Sequence, residues 1–156
     1  IIFNGEIYNF KELAKEFNLK LKTKSDTEVL LELYIILGPA MLNKLNGMFA
    51  LLILNNETFE LFIARDRLGI KPLYYTNHKG FMTISSEIAP LISLYGFSKP
   101  DEIGVRQYLK LRTFFNGRTY LEKINMFPAG YYMIDNKLIR YWQLPKGKQE
   151  TRKKKN

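Results

Sequence analysis

An unbroken apolar run, Met48-Phe49-Ala50-Leu51-Leu52-Ile53-Leu54, restricts the fold of this chain more than any other feature. A strand that alternates apolar and polar residues needs one dry face, and a strand with no polar position needs two. The run leads through Asn55-Asn56-Glu57 into a second β-rich arm, Thr58-Phe59-Glu60-Leu61-Phe62-Ile63-Ala64-Arg65. The pair predicts a central hairpin covered on both sides. With 156 residues, 46% of them hydrophobic and 14% aromatic, the chain has the apolar mass for one domain around a sizeable core. No apolar run approaches the ~20 residues that a membrane-spanning helix requires, so a membrane partner is not expected.

The remaining elements follow from local pattern. Ile1-Ile2-Phe3 reads as a buried strand closed by the turn dipeptide Asn4-Gly5. Asn9, with Glu12 three positions later, reads as the cap of a helix that buries Phe10, Leu13, Ala14 and Phe17. Leu19, Leu21 and Thr23 alternate with lysines, which predicts an edge or half-exposed strand. Ser25 and Glu28 form a capping-box pattern ahead of Val29 to Leu37, and Gly38-Pro39 stops that helix. A short helix is expected from about Ala40 to Leu45. Further hairpins are predicted at Leu73 to Ser85 and Tyr131 to Trp142, and helices at Glu87 to Leu94 and Gly104 to Leu111. This order predicts an α+β layered domain, sheet against sheet with helices outside.

The net charge of +9 invites a nucleic-acid reading, but its location weakens it. Between residues 145 and 156, Lys146, Lys148, Arg152, Lys153, Lys154 and Lys155 face only Glu150, and these account for +5 of the total, leaving +4 elsewhere. A modestly basic domain at 1–144 with a solvated basic tail or linker at 145–156 is the plainer description. The chain has no cysteine, so disulfides, thiolate metal sites and thiol nucleophiles are excluded within these residues. His78, the sole histidine, lies in a turn-like run and reads as a surface residue rather than a ligand or general base.

Two clusters offer chemistry, each with a plainer structural alternative. Asn4-Gly5-Glu6 supplies a side-chain amide and a backbone N–H that can approach a ligand closely, and two such donors can hold a developing oxyanion. The alternative is an ordinary strand-to-helix turn. Ser25-Asp26-Thr27-Glu28 places a carboxylate at a helix start, suited to an ammonium group; the alternative is a helix start and nothing more. Arg65 to Tyr75, rich in alternating charge with Gly69 and Pro72, reads as a tight, salt-bridged structural loop that could also serve an interface or line a path.

Taken in order, NGEIYN at 4–9, SDTEV at 25–29, LNGMFA at 45–50, RDRLGIKPLYY at 65–75, SSE at 85–87 and FPAGYY at 127–132 resemble class II glutamine amidotransferases, most closely the N-terminal domain of glutamine-hydrolysing asparagine synthetases. The resemblance implies a four-layer αββα sandwich of the N-terminal-nucleophile (Ntn) hydrolase type. It also implies an N-terminal cysteine nucleophile whose α-amine is the base, giving a glutamyl thioester and ammonia. By resemblance, Asn4 and Gly5 form the oxyanion hole, Glu6 touches the substrate glutamine through its main chain, and Asp26 pairs with the substrate α-ammonium. Ammonia then passes to an ATP- and Mg²⁺-using synthetase domain that amidates aspartate. A cytoplasmic location and a possible homodimer go with it.

The departures shape the expectation for this chain. The nucleophilic cysteine is absent, as are the arginine that binds the substrate carboxylate and the pyrophosphate loop of the synthetase domain. No cofactor is expected within these residues. The strand at Ile1 favours a fragment of a longer product over a decayed homologue, with sheet edges left uncovered. The rival reading is a non-catalytic amidotransferase-like remnant, or a basic binding module using Lys153 to Lys155.

Overall fold

A computed structural model describes residues 1–145; the basic tail lies almost wholly outside the described residues. The elements are β1 (Ile2–Ile7), α1 (Phe10–Glu16), α2 (Asp26–Leu37), a 3₁₀ turn (Gly38–Asn43), β2 (Gly47–Leu54), β3 (Leu61–Arg65), β4 (Tyr74–His78), β5 (Phe81–Ser85), α3 (Ile88–Tyr95), α4 (Glu102–Leu111), β6 (Asn125–Met126), β7 (Tyr131–Ile134) and β8 (Lys137–Arg140). They form one sheet in the order β1-β2-β3-β7-β8 and a second in the order β5-β4-β6.

The apolar run at 48–54 is covered on both faces, as its composition requires. From β2, Phe49, Leu51 and Ile53 join α1 and α2 in one core, which also holds Leu13, Val29, Leu30 and Leu33. Ala50 and Leu52 point the other way, into a core between the sheets with Leu73, Phe127 and Met133. A third core sets Leu91 of α3 and Phe97 against Tyr74 of β4. The layers are therefore helices, large sheet, small sheet and helix, an α+β sandwich. Each fully buried Leu, Ile or Phe contributes about 1.5–3 kcal/mol, so the two-sided β2 is the strand on which the sandwich most depends.

Five local readings are corrected. Asn4-Gly5 is not a turn: β1 runs straight through it, pairing Asn4 with Ala50 and Gly5 with Phe49. Gly5 is there for close approach, since a Cβ would lie 2.2 Å from the Met48 carbonyl oxygen. Nor is the first strand buried at its start, where Ile2 is 71% exposed. Asn9 precedes α1 but makes no side-chain cap bond. Its amide instead donates to the Lys44 carbonyl at 3.0 Å and accepts from the Asn46 N–H at 2.9 Å. The lysine-alternating segment 19–23 is not a strand. The Glu28 carboxylate accepts from the Lys22 and Thr23 N–H groups at 2.7 and 2.6 Å, so this segment folds back onto the first turn of α2. Those backbone donors bond one acidic side chain rather than a neighbouring strand.

The loop after β3 holds the fifth correction. Arg65 and Asp66 are not paired with each other: the ion pairs among the described residues are Lys44–Glu16, Lys99–Glu122 and Arg118–Asp101. The buried Arg65 guanidinium donates to the carbonyls of Phe127, Lys71 and Gly69 at 2.6, 2.7 and 2.8 Å. The Asp66 carboxylate accepts from the N–H groups of Leu68, Ile70 and Lys71, each at 3.0 Å, and of Phe49 at 3.3 Å. The knot ties the β3 end to β2 and to the turn before β7. It uses the backbone as its counter-ion, because a compact loop buries more peptide groups than it can pair among themselves.

Candidate functional site

β1 is an edge strand of the large sheet among the described residues, and its hydrogen-bonding phase decides which of its groups are free. In an antiparallel pair, alternate residues turn both peptide groups toward the partner and the others turn both away. Tyr8 N–H donates to the Asn46 carbonyl at 2.8 Å, which fixes the phase. Asn4 and Glu6 therefore point their peptide groups at β2, while Gly5 and Ile7 point theirs at the open edge. Among the described residues the Gly5 N–H is thus an uncommitted donor on the rim of the sheet.

Asp26 meets the same edge. It is the first residue of α2, behind the Ser25 cap, whose hydroxyl accepts from the Thr27 N–H at 3.1 Å. Its Oδ2 accepts from the Ile7 N–H at 3.1 Å. Two strand steps, with Glu6 between them, separate that N–H from the Gly5 N–H, a distance of about 7 Å at the usual strand rise. Asp26 is half-buried, and Oδ1 has only a 3.5 Å contact from the Thr27 hydroxyl, which leaves it capacity for another donor.

Asn4 and Glu6 take different positions. Cross-strand partners share a face, so Asn4 opposite Ala50, and Glu6 opposite Met48, project toward the side of the sheet that faces the second sheet. Both are exposed, because the smaller sheet covers Ala50 and Leu52 but not β1. The structure thus gathers the Gly5 N–H and the Asp26 carboxylate on one rim, with the Asn4 amide on the adjoining face.

Two supporting residues carried a sequence signal for a different role. Asn9 locks the chain beyond β1 to the 44–46 turn, and Glu28 holds the approach to Asp26. Thr23 and the neighbouring backbone donors keep the Glu28 carboxyl below the ordinary carboxylate range. Asn9 matched a helix cap and Glu28 a capping box; the partners they choose depend on how the chain folds back.

A cleft of about 660 Å³ lies elsewhere, between Gly69, Phe127 to Ala129 and the 113–117 loop. Arg65, the charged group at its wall, is committed to carbonyls, and burial lowers its tendency to hold a proton. His78 is not a plain surface residue either. It is half-buried against the rings of Tyr95 and Phe97, with centroids 4.8 and 5.5 Å away. Among the described residues no cluster of three or more His, Asp or Glu is placed to hold a metal ion, and no helix is long and apolar enough to cross a membrane.

Residues 1–142 match the family model described as a glutamine amidotransferase domain. The chain belongs to the glutamine amidotransferase domain family. It is 43% identical over 115 residues to asparagine synthetase (glutamine-hydrolysing) 1 of Bacillus subtilis, covering 72% of this chain and 18% of that one. It is 32% identical over 132 residues to the asparagine synthetase (glutamine-hydrolysing) of Pongo abelii, covering 83% and 22%. A Methanocaldococcus jannaschii protein named for the same enzyme is 35% identical over 164 residues, covering 99% and 32%. The chain thus spans a third or less of the length of these relatives. Among solved structures, the glutamine phosphoribosylpyrophosphate amidotransferase from B. subtilis superposes with a TM-score of 0.65 at 23% identity, over 92% of this chain and 29% of that one. That likeness concerns the amidotransferase fold, the Ntn-hydrolase α+β sandwich, and agrees with the layering of the three cores.

Proposed function

We propose that residues 1–144 are the glutamine-binding part of a glutamine-hydrolysing asparagine synthetase, followed by a basic linker at 145–156. The observation that carries the reading is the pairing of an uncommitted Gly5 N–H with a partly free Asp26 carboxylate on one sheet edge, in a chain of the amidotransferase family. Asp26 takes the substrate α-ammonium, and Glu6 meets the substrate through its main chain. The Gly5 N–H, with the Asn4 side-chain amide, takes the side-chain carbonyl. The roughly 7 Å between the two ends of this rim suits an extended glutamine.

In the reaction so assigned, a thiolate attacks the glutamine side-chain amide, the carbonyl oxygen gains negative charge, and two N–H donors stabilise it. Ammonia leaves and a glutamyl thioester remains for water to cleave. The chain contains no cysteine, so the thiol comes from outside residues 1–156. ATP, Mg²⁺ and aspartate belong to a synthetase domain, also outside these residues, and the setting is cytoplasmic.

The 156-residue chain is expected to release no ammonia from glutamine above background. Joined to a relative's cysteine-bearing segment, it is expected to hydrolyse glutamine. In that protein Asn4→Ala lowers kcat by about 10²–10³, the usual cost of one oxyanion donor. Asp26→Ala abolishes glutamine binding; an unchanged KM in that variant would remove the assignment of Asp26.

A further inference from the structure

The dipeptide Asn-Gly occurs three times, at Asn4-Gly5, Asn46-Gly47 and Asn116-Gly117. It is the sequence at which an asparagine most readily cyclises onto its own backbone. The N–H that follows attacks the side-chain amide carbon, and glycine has no side chain to obstruct the approach. Closing that ring turns the peptide unit that joins the two residues. Whatever holds the unit therefore governs the reaction, and the folded chain holds the three units differently.

The Asn46 carbonyl accepts from the Tyr8 N–H at 2.8 Å, and its own N–H donates to the Asn9 side chain at 2.9 Å. Asn4 turns both of its peptide groups toward Ala50 of β2. In both cases the carbonyl of the reacting unit is tied into the sheet, and the unit turns only when the ladder opens. Asn116 has no such tie. Its side chain is exposed, and among the described residues neither its carbonyl nor the Gly117 N–H makes a hydrogen bond. Asn116 and Gly117 are the central pair of a turn, with φ of 57° and 71°. The Arg118 N–H closes that turn on the Phe115 carbonyl at 3.2 Å. This bond holds the two flanking peptide units and leaves the central one free to rotate.

We propose that Asn116 is a site of self-modification, converting to aspartate and isoaspartate while Asn4 and Asn46 stay intact in the folded chain. The Gly117 nitrogen bonds to the Asn116 side-chain amide carbon. The bond from that carbon to Nδ2 breaks, and the nitrogen leaves as ammonia with the proton that Gly117 gives up. Water then opens the five-membered imide at either carbonyl and leaves a carboxylate. One water is consumed for each ammonia released, and nothing is oxidised or reduced. The ammonia does not depend on glutamine, which separates this reaction from the hydrolysis proposed above. Asn116 and Gly117 lie in the wall of the 660 Å³ cleft, where Arg65 is the one charged side chain among the described residues. The product adds a carboxylate to that wall. Its isoaspartyl form also adds a methylene to the main chain, which pulls apart the Arg118–Phe115 bond and the bond from the Met126 N–H to the Gly117 carbonyl at 2.8 Å.

The test incubates the full chain in warm, mildly alkaline buffer made with heavy-oxygen water, with and without urea. The isotope marks carboxylates formed during the incubation, and peptide mapping by mass spectrometry reads each Asn-Gly site. In urea the three sites share the same glycine neighbour and are expected to convert at similar rates. In the folded chain Asn116 is expected to convert at least about tenfold faster than Asn4 or Asn46, because only those two wait for the sheet to open. Asn116→Gln, whose side chain is one methylene too long for the five-membered ring, removes the reaction at this site and leaves the other two rates unchanged. Hydrogen exchange at the Arg118 and Met126 amides is expected to rise in the aged wild-type chain and not in Asn116→Gln. Conversion of Asn4 or Asn46 as fast as Asn116 without urea would overturn the proposal. So would a folded chain in which Asn116 is as slow as the other two, since the turn would then protect it.

Discussion

The start of α2, Ser25-Asp26-Thr27-Glu28, and the loop after β3, Arg65-Asp66-Arg67, each carry one aspartate among polar neighbours, yet the two aspartates are opposites in the folded chain. Asp66 is 1% exposed, and its carboxylate takes four backbone N–H groups. Asp26 is half-buried, takes one backbone N–H, and faces the open edge of the sheet. A buried charge with every lone pair used can only hold structure. A carboxylate at a rim with spare capacity beside an uncommitted N–H can receive a ligand. Saturation of hydrogen-bonding capacity separates scaffold from site more sharply than residue type does.

The comparison breaks first at Asp66. Asp66→Ala leaves the Phe49, Leu68, Ile70 and Lys71 N–H groups without their acceptor. The expected cost is about 3–5 kcal/mol, measured by urea unfolding. A loss below about 1 kcal/mol would mean that water replaces the carboxylate and that the loop is no knot.

Asn9 is intermediate, structural in its bonds but set beside the site. Asn9→Ala removes its two bonds to the 44–46 turn and is expected to cost about 1–2 kcal/mol. Hydrogen exchange should then rise at the Tyr8 and Asn46 amides, while the 66–71 amides stay protected. Equal loosening of both regions would show that the edge and the knot are one unit.

Asp26→Ala sharpens the contrast from the other side. It is expected to cost about 1 kcal/mol, well below Asp66→Ala, because one backbone N–H, that of Ile7, loses its acceptor rather than four. A loss as large as that from Asp66→Ala would make Asp26 a second scaffold residue.

The smallest effect concerns pH at Glu28. Its folded value is depressed below the ordinary 4.5 by the Thr23 hydroxyl and the Lys22 N–H. The clasp therefore contributes fully above that ordinary value and is lost as pH falls through the lower, folded one. The Lys22 and Thr23 amide resonances should titrate with a midpoint below 4.5, and Glu28→Gln should abolish that titration. A midpoint at or above the ordinary value would mean that Glu28 is solvated and holds nothing.

Family and candidate residues were legible because the motifs are local strings, and NGEIYN and SDTEV name Asn4, Gly5, Glu6 and Asp26 without any coordinates. Which donors are free was not legible. The Gly5 N–H is available because Tyr8 pairs with Asn46, and no residue between 4 and 9 encodes that phase.

By itself the sequence determined what short-range physics can determine. A run without polar residues demanded two dry faces, and β2 has them. Ser25 capped α2, and Asp135-Asn136 turned β7 into β8 with both residues at positive φ. Tertiary structure alone decided that Asn9 would reach the 44–46 turn rather than cap its own helix, and that Arg65 would answer the Phe127 carbonyl rather than Asp66. The physical reason is that a polar side chain near buried backbone takes whichever unpaired peptide group the fold brings to it, and those partners lie tens of residues away along the chain.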